Sequence, residues 1–138
     1  ITVLDISVAA IDRAKTRLGK NAQRVKWIVA DVRDFIPLES YDLWHDRAAF
    51  HFLTEKEEID KYYQLVCEYT NNIILGAFST NGPLTCSGLE IAQYNEAKLQ
   101  STFGKHFKLM ECFTSDHTTP FATTQNFIFT RMSKNKNS

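Results

Sequence analysis

The sequence predicts an α/β fold with a mostly parallel sheet and an antiparallel last strand. Short apolar runs, typical of buried strands, alternate with segments whose apolar residues recur at helical spacing. We therefore expect three layers, with helices on both faces of the sheet. Residues 107–113 and 125–132, the last two apolar runs, have no helical segment between them. Because parallel neighbours need a long crossover, we expect these two strands to pair antiparallel.

The first half of the chain predicts three strands and one helix. Residues 2–6 form a nearly continuous apolar run, as in a parallel strand that is covered on both faces. Ser7 follows in the position of a helix N-cap, and Gly19 is placed to end that helix. Further strands are expected at residues 25–30 and 41–45.

The second half predicts two helices around a central strand. Thr54 and Glu57 have the spacing of a capping box, ahead of a helix with one apolar face. A strand is expected at residues 73–78, and a second helix at residues 89–103. The loop at residues 82–88 is long enough to cover a ligand, although its glycines are equally consistent with a simple turn.

Composition restricts the class of protein. A chain of 138 residues predicts one domain, which we place at residues 1–132, with a polar tail at residues 133–138. Sixteen basic and sixteen acidic side chains cancel, which argues against a nucleic-acid partner and against a charged membrane surface. The longest apolar stretch is far below the roughly 20 residues of a membrane span. Three cysteines without metal-site spacing, and no secretory signal, favour a cytoplasmic protein.

Candidate binding residues follow the predicted strands. Ligands of open α/β sheets bind beyond the carboxyl ends of the strands, so polar residues at these ends are the ones to consider. Asp5 ends the first strand and could accept hydrogen bonds from a ribose diol. Asp31 ends the second and could accept from an exocyclic amine, with Val32 covering a purine face. For both acids, the alternative is an ordinary exposed carboxylate at a strand end.

Four blocks of sequence carry a resemblance to a known family. In chain order, they read VLDIS, VKWIVADVRDF, YDLWHDRAAFHFL and GPLTCSGLEIAQY. Together with the antiparallel ending, they resemble the class I S-adenosylmethionine-dependent methyltransferases, and the resemblance covers almost the whole chain. It implies a Rossmann-like fold and S-adenosylmethionine as cofactor. It also implies that Asp5 and Ile6 contact the ribose, that Asp31 and Val32 hold the adenine, and that His45 lines the methionine end.

One part of the family pattern does not occur between Ile1 and Ser138. The first strand of the family and its GxGxG turn would lie upstream of Ile1, so the resemblance implies an N-terminally truncated fold. In the family, that strand lies between the strands that carry Asp5 and His45. We therefore expect the two flanking strands to pair directly, a homo-oligomer partner to supply a strand, or the chain to be part of a longer protein.

The segment after the third predicted strand supplies the catalytic candidates. His45 beside Asp46 is a general-base arrangement, whereas Asp46 and Arg47 could instead form a structural ion pair. We expect Arg47, His51 and His117 to face the substrate, with His117 in the loop that joins the last two strands. His45 and His51 lack a third ligand at metal-site spacing, so no metal is expected.

The function implied by the resemblance is methyl transfer to a small molecule or a protein side chain. One alternative is a non-catalytic, methyltransferase-like assembly protein that oligomerises through its open sheet. Another is a nicotinamide-binding domain, which the antiparallel ending and the pair Asp31-Val32 disfavour.

Overall fold

A computed structural model describes residues 1–136 of the chain. The described chain forms two compact units, which divide between Ile36 and Pro37. In chain order, the strands and helices are β1 (Thr2–Asp5), α1 (Val8–Leu18), β2 (Lys26–Val29), β3 (Trp44–Arg47), α2 (Lys56–Tyr69), β4 (Asn72–Phe78), β5 (Thr85–Cys86), β6 (Leu89–Glu90), α3 (Glu96–Phe103), β7 (Phe107–Thr118) and β8 (Thr124–Lys134). Two turns of 3₁₀ helix lie at Gly19–Arg24 and Phe50–Phe52.

The first unit, Ile1–Ile36, is a parallel strand pair with one helix. β1 pairs with β2 from Thr2 opposite Lys26 to Asp5 opposite Val29, and these two strands make up the sheet. The Ser7 hydroxyl accepts a hydrogen bond from the Ala10 N–H at 3.1 Å, which confirms the predicted N-cap of α1. Gly19 ends the helix at φ 55°, a left-handed conformation that glycine adopts without steric cost.

The second unit, which begins at Pro37, is built on a mixed sheet in the order β3-β4-β8-β7. β3 is parallel to β4, whereas β8 is antiparallel to both β4 and β7. The predicted antiparallel ending is therefore confirmed. β8 continues to Lys134, so the first two residues of the predicted tail belong to a strand, and residues 137 and 138 lie outside the described part.

Aromatic side chains form the interior of the second unit. Phe50 is fully buried, and its ring centroid lies 4.7 Å from that of Tyr62 on α2 and 5.4 Å from that of Phe103 on α3. Tyr94 closes the cluster at 5.1 Å from Phe50. These contacts hold the turn after β3 against both helices, so the carboxyl end of β3 is packed on a rigid base.

Both helices of the second unit begin later than the sequence predicts. α3 begins at Glu96 because the Asn95 side chain caps it by accepting from the Lys98 N–H at 2.8 Å, and Leu89–Glu90 instead pairs with Thr85–Cys86 in a hairpin. α2 begins at Lys56 without a side-chain cap, so the predicted capping box does not form. No helix within residues 1–136 combines the length and the apolar character needed to cross a bilayer.

Two strands also extend beyond their predicted ends. β3 runs to Arg47, and Tyr41 makes only an isolated bridge to Thr70. β7 runs to Thr118, so His117 lies in a strand and not in the connecting loop, which is confined to residues 119–123. The prediction that placed His117 in the loop was wrong because the polar end of β7 carries no apolar alternation.

Candidate functional site

Asp5 stands at the carboxyl end of β1, as the sequence predicts for a ligand-binding acid. Its Oδ1 accepts a hydrogen bond from the Ser7 N–H at 2.8 Å, which fixes the orientation of the carboxylate just before α1 begins. Within residues 1–136, Oδ2 has no hydrogen-bond partner. Ile6 follows with 66% of its surface exposed. The two residues therefore offer an oriented acceptor next to an apolar surface.

Asp31 already has a cationic partner. Arg33 binds both of its oxygens, with Nη2 at 2.5 Å from Oδ2 and Nε at 3.0 Å from Oδ1. The Arg33 side-chain hydrogen bonds are the main reason that the pKa of Asp31 lies below its ordinary value. Val32 is half-buried beside the pair. Because a carboxylate has about four lone-pair positions, a ligand amine would share Asp31 with Arg33.

Asp46 is buried, and its bonds are directed inward. Its Oδ2 accepts from the Tyr62 hydroxyl at 2.6 Å, and its Oδ1 accepts from the N–H groups of Ala49 at 3.0 Å and Phe50 at 3.2 Å. Burial raises the pKa of Asp46 in spite of these bonds. The carboxylate thus ties the turn after β3 to α2. The predicted alternative of an ion pair with Arg47 is wrong, because Asp46 is bonded to Tyr62 and backbone instead.

His45 and Asp46 point to opposite faces of β3, since successive residues of a strand alternate. His45 is exposed, and it shares its face with Arg47. The sequence predicted that these two neighbours would cooperate as base and carboxylate, but alternation separates them. His45 is left as an exposed imidazole on the face opposite the buried carboxylate.

Three predicted substrate residues lie around one group of phenylalanine rings. The Arg47 guanidinium carbon is 5.1 Å from the centroid of Phe127, and the His117 ring is 6.2 Å from the same centroid. His51 lies 4.6 Å from Phe78, whose ring is 4.9 Å from that of Phe127. Arg47 and His51 come from the end of β3 and the turn after it, whereas His117 comes from β7. The structure therefore brings together side chains that are distant in sequence.

His51 is fully buried and is held in one tautomer. Its Nδ1 accepts from the Phe78 N–H at 3.2 Å, so the ring proton is on Nε2. Burial lowers the pKa of His51 to about 4, so the ring is neutral at pH 7. Nε2 has no hydrogen-bond partner among the described residues. His51 is therefore an unused donor and not a general base.

The loop at residues 82–88 packs over the same rings. Gln93 Nε2 donates to the carbonyl oxygens of Gly82 at 2.8 Å and Pro83 at 3.1 Å, which anchors the β5–β6 hairpin. Ile91 and Cys86 belong to the apolar cluster of Phe78 and Phe127. The turn expected from the glycines forms at Ser87 and Gly88, whose φ values are 52° and 77°, and the covering of a ligand by this loop stays a prediction.

The sequence analysis did not single out Phe127, Phe129 or Gly76. The first two alternate along β8 and so share a face, which is a period-two signal that the sequence does contain. Gly76 lies inside β4, where a glycine often marks a close approach. A Cβ at this position would lie 2.7 Å from Phe129 Cε1. Gly76 therefore makes room for the Phe129 ring.

The chain is similar to known proteins in sequence over part of its length and in fold over nearly all of it. No protein-family model matches the chain. Over 85 residues, 62% of the chain, it is 33% identical to malonyl-[acyl-carrier protein] O-methyltransferase 1 of Ilyobacter polytropus, and the match spans 30% of that enzyme.

Solved structures match over nearly the whole chain. The N-methyltransferase NodS of Bradyrhizobium japonicum superposes with a TM-score of 0.73 at 16% identity, over 98% of this chain and 73% of NodS. The 1,6-didemethyltoxoflavin-N1-methyltransferase of Burkholderia thailandensis, solved with 1,6-didemethyltoxoflavin and S-adenosylhomocysteine, superposes with a TM-score of 0.71 at 14% identity, over 98% and 61% of the two chains. The chain therefore has the fold of these S-adenosylmethionine-dependent methyltransferases, and it spans less than a third of the curated relative that it matches.

Proposed function

We propose that the chain acts in the S-adenosylmethionine-dependent methylation of a small molecule. The fold supports this class of reaction, and the matched enzymes are methyltransferases by name. The observation that carries the proposal is the geometry of Asp5. Its carboxylate is oriented by one backbone hydrogen bond, and Oδ2 is without a partner in the described chain, as a ligand of ribose hydroxyls requires.

The first unit has the residues to hold the adenosine part of the cofactor. Asp5 would accept from the ribose hydroxyls, and the exposed Ile6 would contact the adjoining ring. Asp31 would accept from the adenine amine while it keeps Arg33, and Val32 would cover the purine face. When bound, the cofactor supplies a methyl group that is attached to a sulfonium sulfur. A lone pair of the acceptor would bond to the methyl carbon, and the sulfur would leave as a neutral thioether.

The second unit has the residues to hold the methyl acceptor. Arg47 contributes a cation, and His51 contributes a neutral N–H donor. His45, exposed on the same sheet face as Arg47, would take the acceptor's proton when the acceptor has one to lose. The remaining catalysis is positioning, because an in-line displacement needs the reacting atoms held in line and shielded from water.

Calorimetric titration with S-adenosylmethionine and S-adenosylhomocysteine tests the proposal. We expect the wild-type chain to bind both. Asp5→Ala should weaken binding by roughly 10- to 100-fold, because charge-assisted hydrogen bonds contribute about 1.5–3 kcal/mol. Asp34→Ala is the matched control, since Asp34 is an exposed acid of the same unit, and it should bind as the wild type does.

Absence of binding by the wild-type chain at millimolar ligand would overturn the proposal. It would favour the alternative, a non-catalytic assembly protein that oligomerises through an open sheet edge. β1 and β3 are the terminal strands of their sheets and supply such edges. Sedimentation of the ligand-free chain identifies this alternative directly, because an assembly protein of this kind would sediment as an oligomer.

A further inference from the structure

One face of the four-stranded sheet carries a row of residues that contact one another across the strands. Arg47 on β3 is opposite Gly76 on β4, Gly76 is opposite Phe129 on β8, and Phe129 is opposite Phe113 on β7. Paired residues share a face, so all four side-chain positions point the same way. Phe127, two residues from Phe129, adds a ring beside this row. We call this set of rings the aromatic strip; it consists of Phe113, Phe127 and Phe129.

The aromatic strip becomes more exposed from one end to the other. Phe127 is 4% exposed, Phe129 is half-buried and Phe113 is 56% exposed. Phe127 and Phe129 are stacked at 5.6 Å with an angle of 15° between their planes, and Phe113 lies 5.7 Å from Phe129. Because Gly76 has no side chain, the Phe129 ring lies over β4 and the Arg47 stem reaches the same place. Phe129 and Phe113 therefore present accessible apolar surface next to Arg47, while the Phe127 ring lies buried against the guanidinium.

Arg47 is the cation at the buried end of this strip, and it has no acidic partner. Within residues 1–136, it makes no salt bridge, and its contact is the face of Phe127. Another arginine on the same sheet face, Arg131, is paired with Glu111 at 3.4 Å. Arg47 thus differs from Arg131, because no carboxylate of the described chain pairs with its guanidinium.

A guanidinium that stacks on a ring keeps its N–H groups along its edge, where they match the two oxygens of a carboxylate. The ligand that satisfies this arrangement has a planar apolar body for the strip and a carboxylate for Arg47.

We propose that Arg47 and the aromatic strip bind the methyl acceptor, and that this acceptor is an aromatic carboxylate. The inference rests on the proposed function and names the substrate class of that same site. Arg47 is the residue that determines specificity, because it distinguishes a carboxylate from a neutral or cationic group at the same position. The aromatic strip contributes affinity that does not depend on charge.

Nuclear magnetic resonance titration of the chain with 2-naphthoate tests this, with 2-naphthamide as the neutral probe of the same shape. We expect 2-naphthoate to shift the ring signals of the aromatic strip and to bind about tenfold more tightly than 2-naphthamide, as a charge-assisted pair implies. Arg47→Gln should remove the tenfold preference, and both probes should then bind equally. Arg47→Lys, which keeps the charge without the planar fork, should restore part of it.

Arg131→Gln is the matched control, because it removes an arginine from the same face that already has an acidic partner. It should keep the full preference for 2-naphthoate. Since Arg47 is exposed, its variants should fold, which the amide spectrum verifies. Equal binding of the two probes to the wild type would overturn the proposal, as would loss of the preference in Arg131→Gln alone.

The same samples separate this inference from the proposed function. If S-adenosylmethionine binds but 2-naphthoate leaves the strip signals unmoved, the acceptor class is wrong and methyl transfer stands. If 2-naphthoate binds with the expected preference but no cofactor binds, the carboxylate site stands as a binding site, and its role in methyl transfer is overturned.

Discussion

Asp46 and His51 are both buried near the end of β3, and burial acts on their pKa values in opposite directions. It raises the pKa of Asp46 and lowers that of His51 to about 4, because in each case the charged form is disfavoured. Asp46 offsets the cost of burial by accepting from Tyr62 and from two backbone N–H groups. His51 accepts one bond and is neutral.

The pKa of His51 predicts a specific dependence of stability on pH. The ordinary value is 6.5 and the folded value is about 4, so the unfolded chain binds more protons between these limits. The contribution of His51 to the free energy of unfolding is therefore fully present above pH 6.5. It falls as the pH drops through this window and levels off below pH 4. Between pH 6.5 and pH 4, the free energy of unfolding measured with urea should decrease less in His51→Gln than in the wild type, by roughly 3 kcal/mol.

Asp46 shifts stability in the opposite sense, because its raised pKa makes the folded state lose stability as the pH rises through that value. It is present in both proteins, so the difference between their pH profiles isolates His51. His117→Gln is the matched control, because His117 is an exposed imidazole. Its profile should follow that of the wild type, and parallel profiles for wild type and His51→Gln would contradict the prediction.

The sequence predicts the position of each candidate residue better than its partner. Asp5 and Ser7 interact over a few residues, and local spacing was sufficient to predict the N-cap of α1. The partner of Asp46 is 16 residues away on α2, and no local pattern specifies it. The predicted strand ended at His45, one residue before Asp46. The alternation of side chains along a strand, which places His45 and Asp46 on opposite faces, was therefore not applied to this pair.

Element boundaries show the same division between local and tertiary causes. The helix predicted at residues 89–103 contains Tyr94, Leu99 and Phe103, and all three are buried. Its start was misplaced because the capping asparagine, Asn95, lies inside the apolar pattern. The order of strands and helices and the antiparallel ending were predictable from alternation, whereas the β5–β6 hairpin depends on packing against Phe78 and Phe127.

Removal of the Asn95 cap should destabilise α3 measurably. Asn95→Ala leaves the Lys98 N–H without its acceptor, so we expect a loss of about 1 kcal/mol in the free energy of unfolding. Asn95→Asp keeps an acceptor oxygen and should retain the stability. Asn81→Ala is the control, since Asn81 is exposed and caps no helix, and urea unfolding should place it within about 0.5 kcal/mol of the wild type. Equal losses in the two alanine variants would contradict the role of the cap.

Across the whole molecule, buried apolar side chains are distributed unevenly between the units. Within Ile1–Ile36, Ile11 alone among the hydrophobic residues is buried, whereas the second unit contains the aromatic interior and the buried residues of β4. A folded segment of fewer than about 40 residues rarely buries enough surface to be stable without a ligand or partner. The unit that contains Asp5 therefore has the weaker intrinsic stability.

Hydrogen exchange should reveal this difference and its response to cofactor. Amides of β1 and β2 should exchange faster than those of β4 and β8 in the ligand-free chain. S-adenosylmethionine at 100 times its Kd should raise the protection of β1 and β2 by about 2.7 kcal/mol, because ligand binding is linked to folding. The increase should fall to about 0.4–1.4 kcal/mol in Asp5→Ala at the same concentration, because binding that is 10- to 100-fold weaker leaves the ligand at only about 1 to 10 times the Kd of the variant. Uniform protection across both units, with or without ligand, would contradict the prediction.

The long hairpin of β7 and β8 has a consequence for the order of folding. Residues 119–123 close it with hydrogen bonds between Thr119 and Thr123, so its pairing involves contacts that are local in sequence. Hairpins of this kind form in about 1–10 μs, whereas pairing β3 with β4 requires closure of the longer connection that contains α2. Phe129 and Phe113 therefore meet on the hairpin first. We then expect β4 to dock on the preformed hairpin, where Gly76 comes to lie against the Phe129 ring.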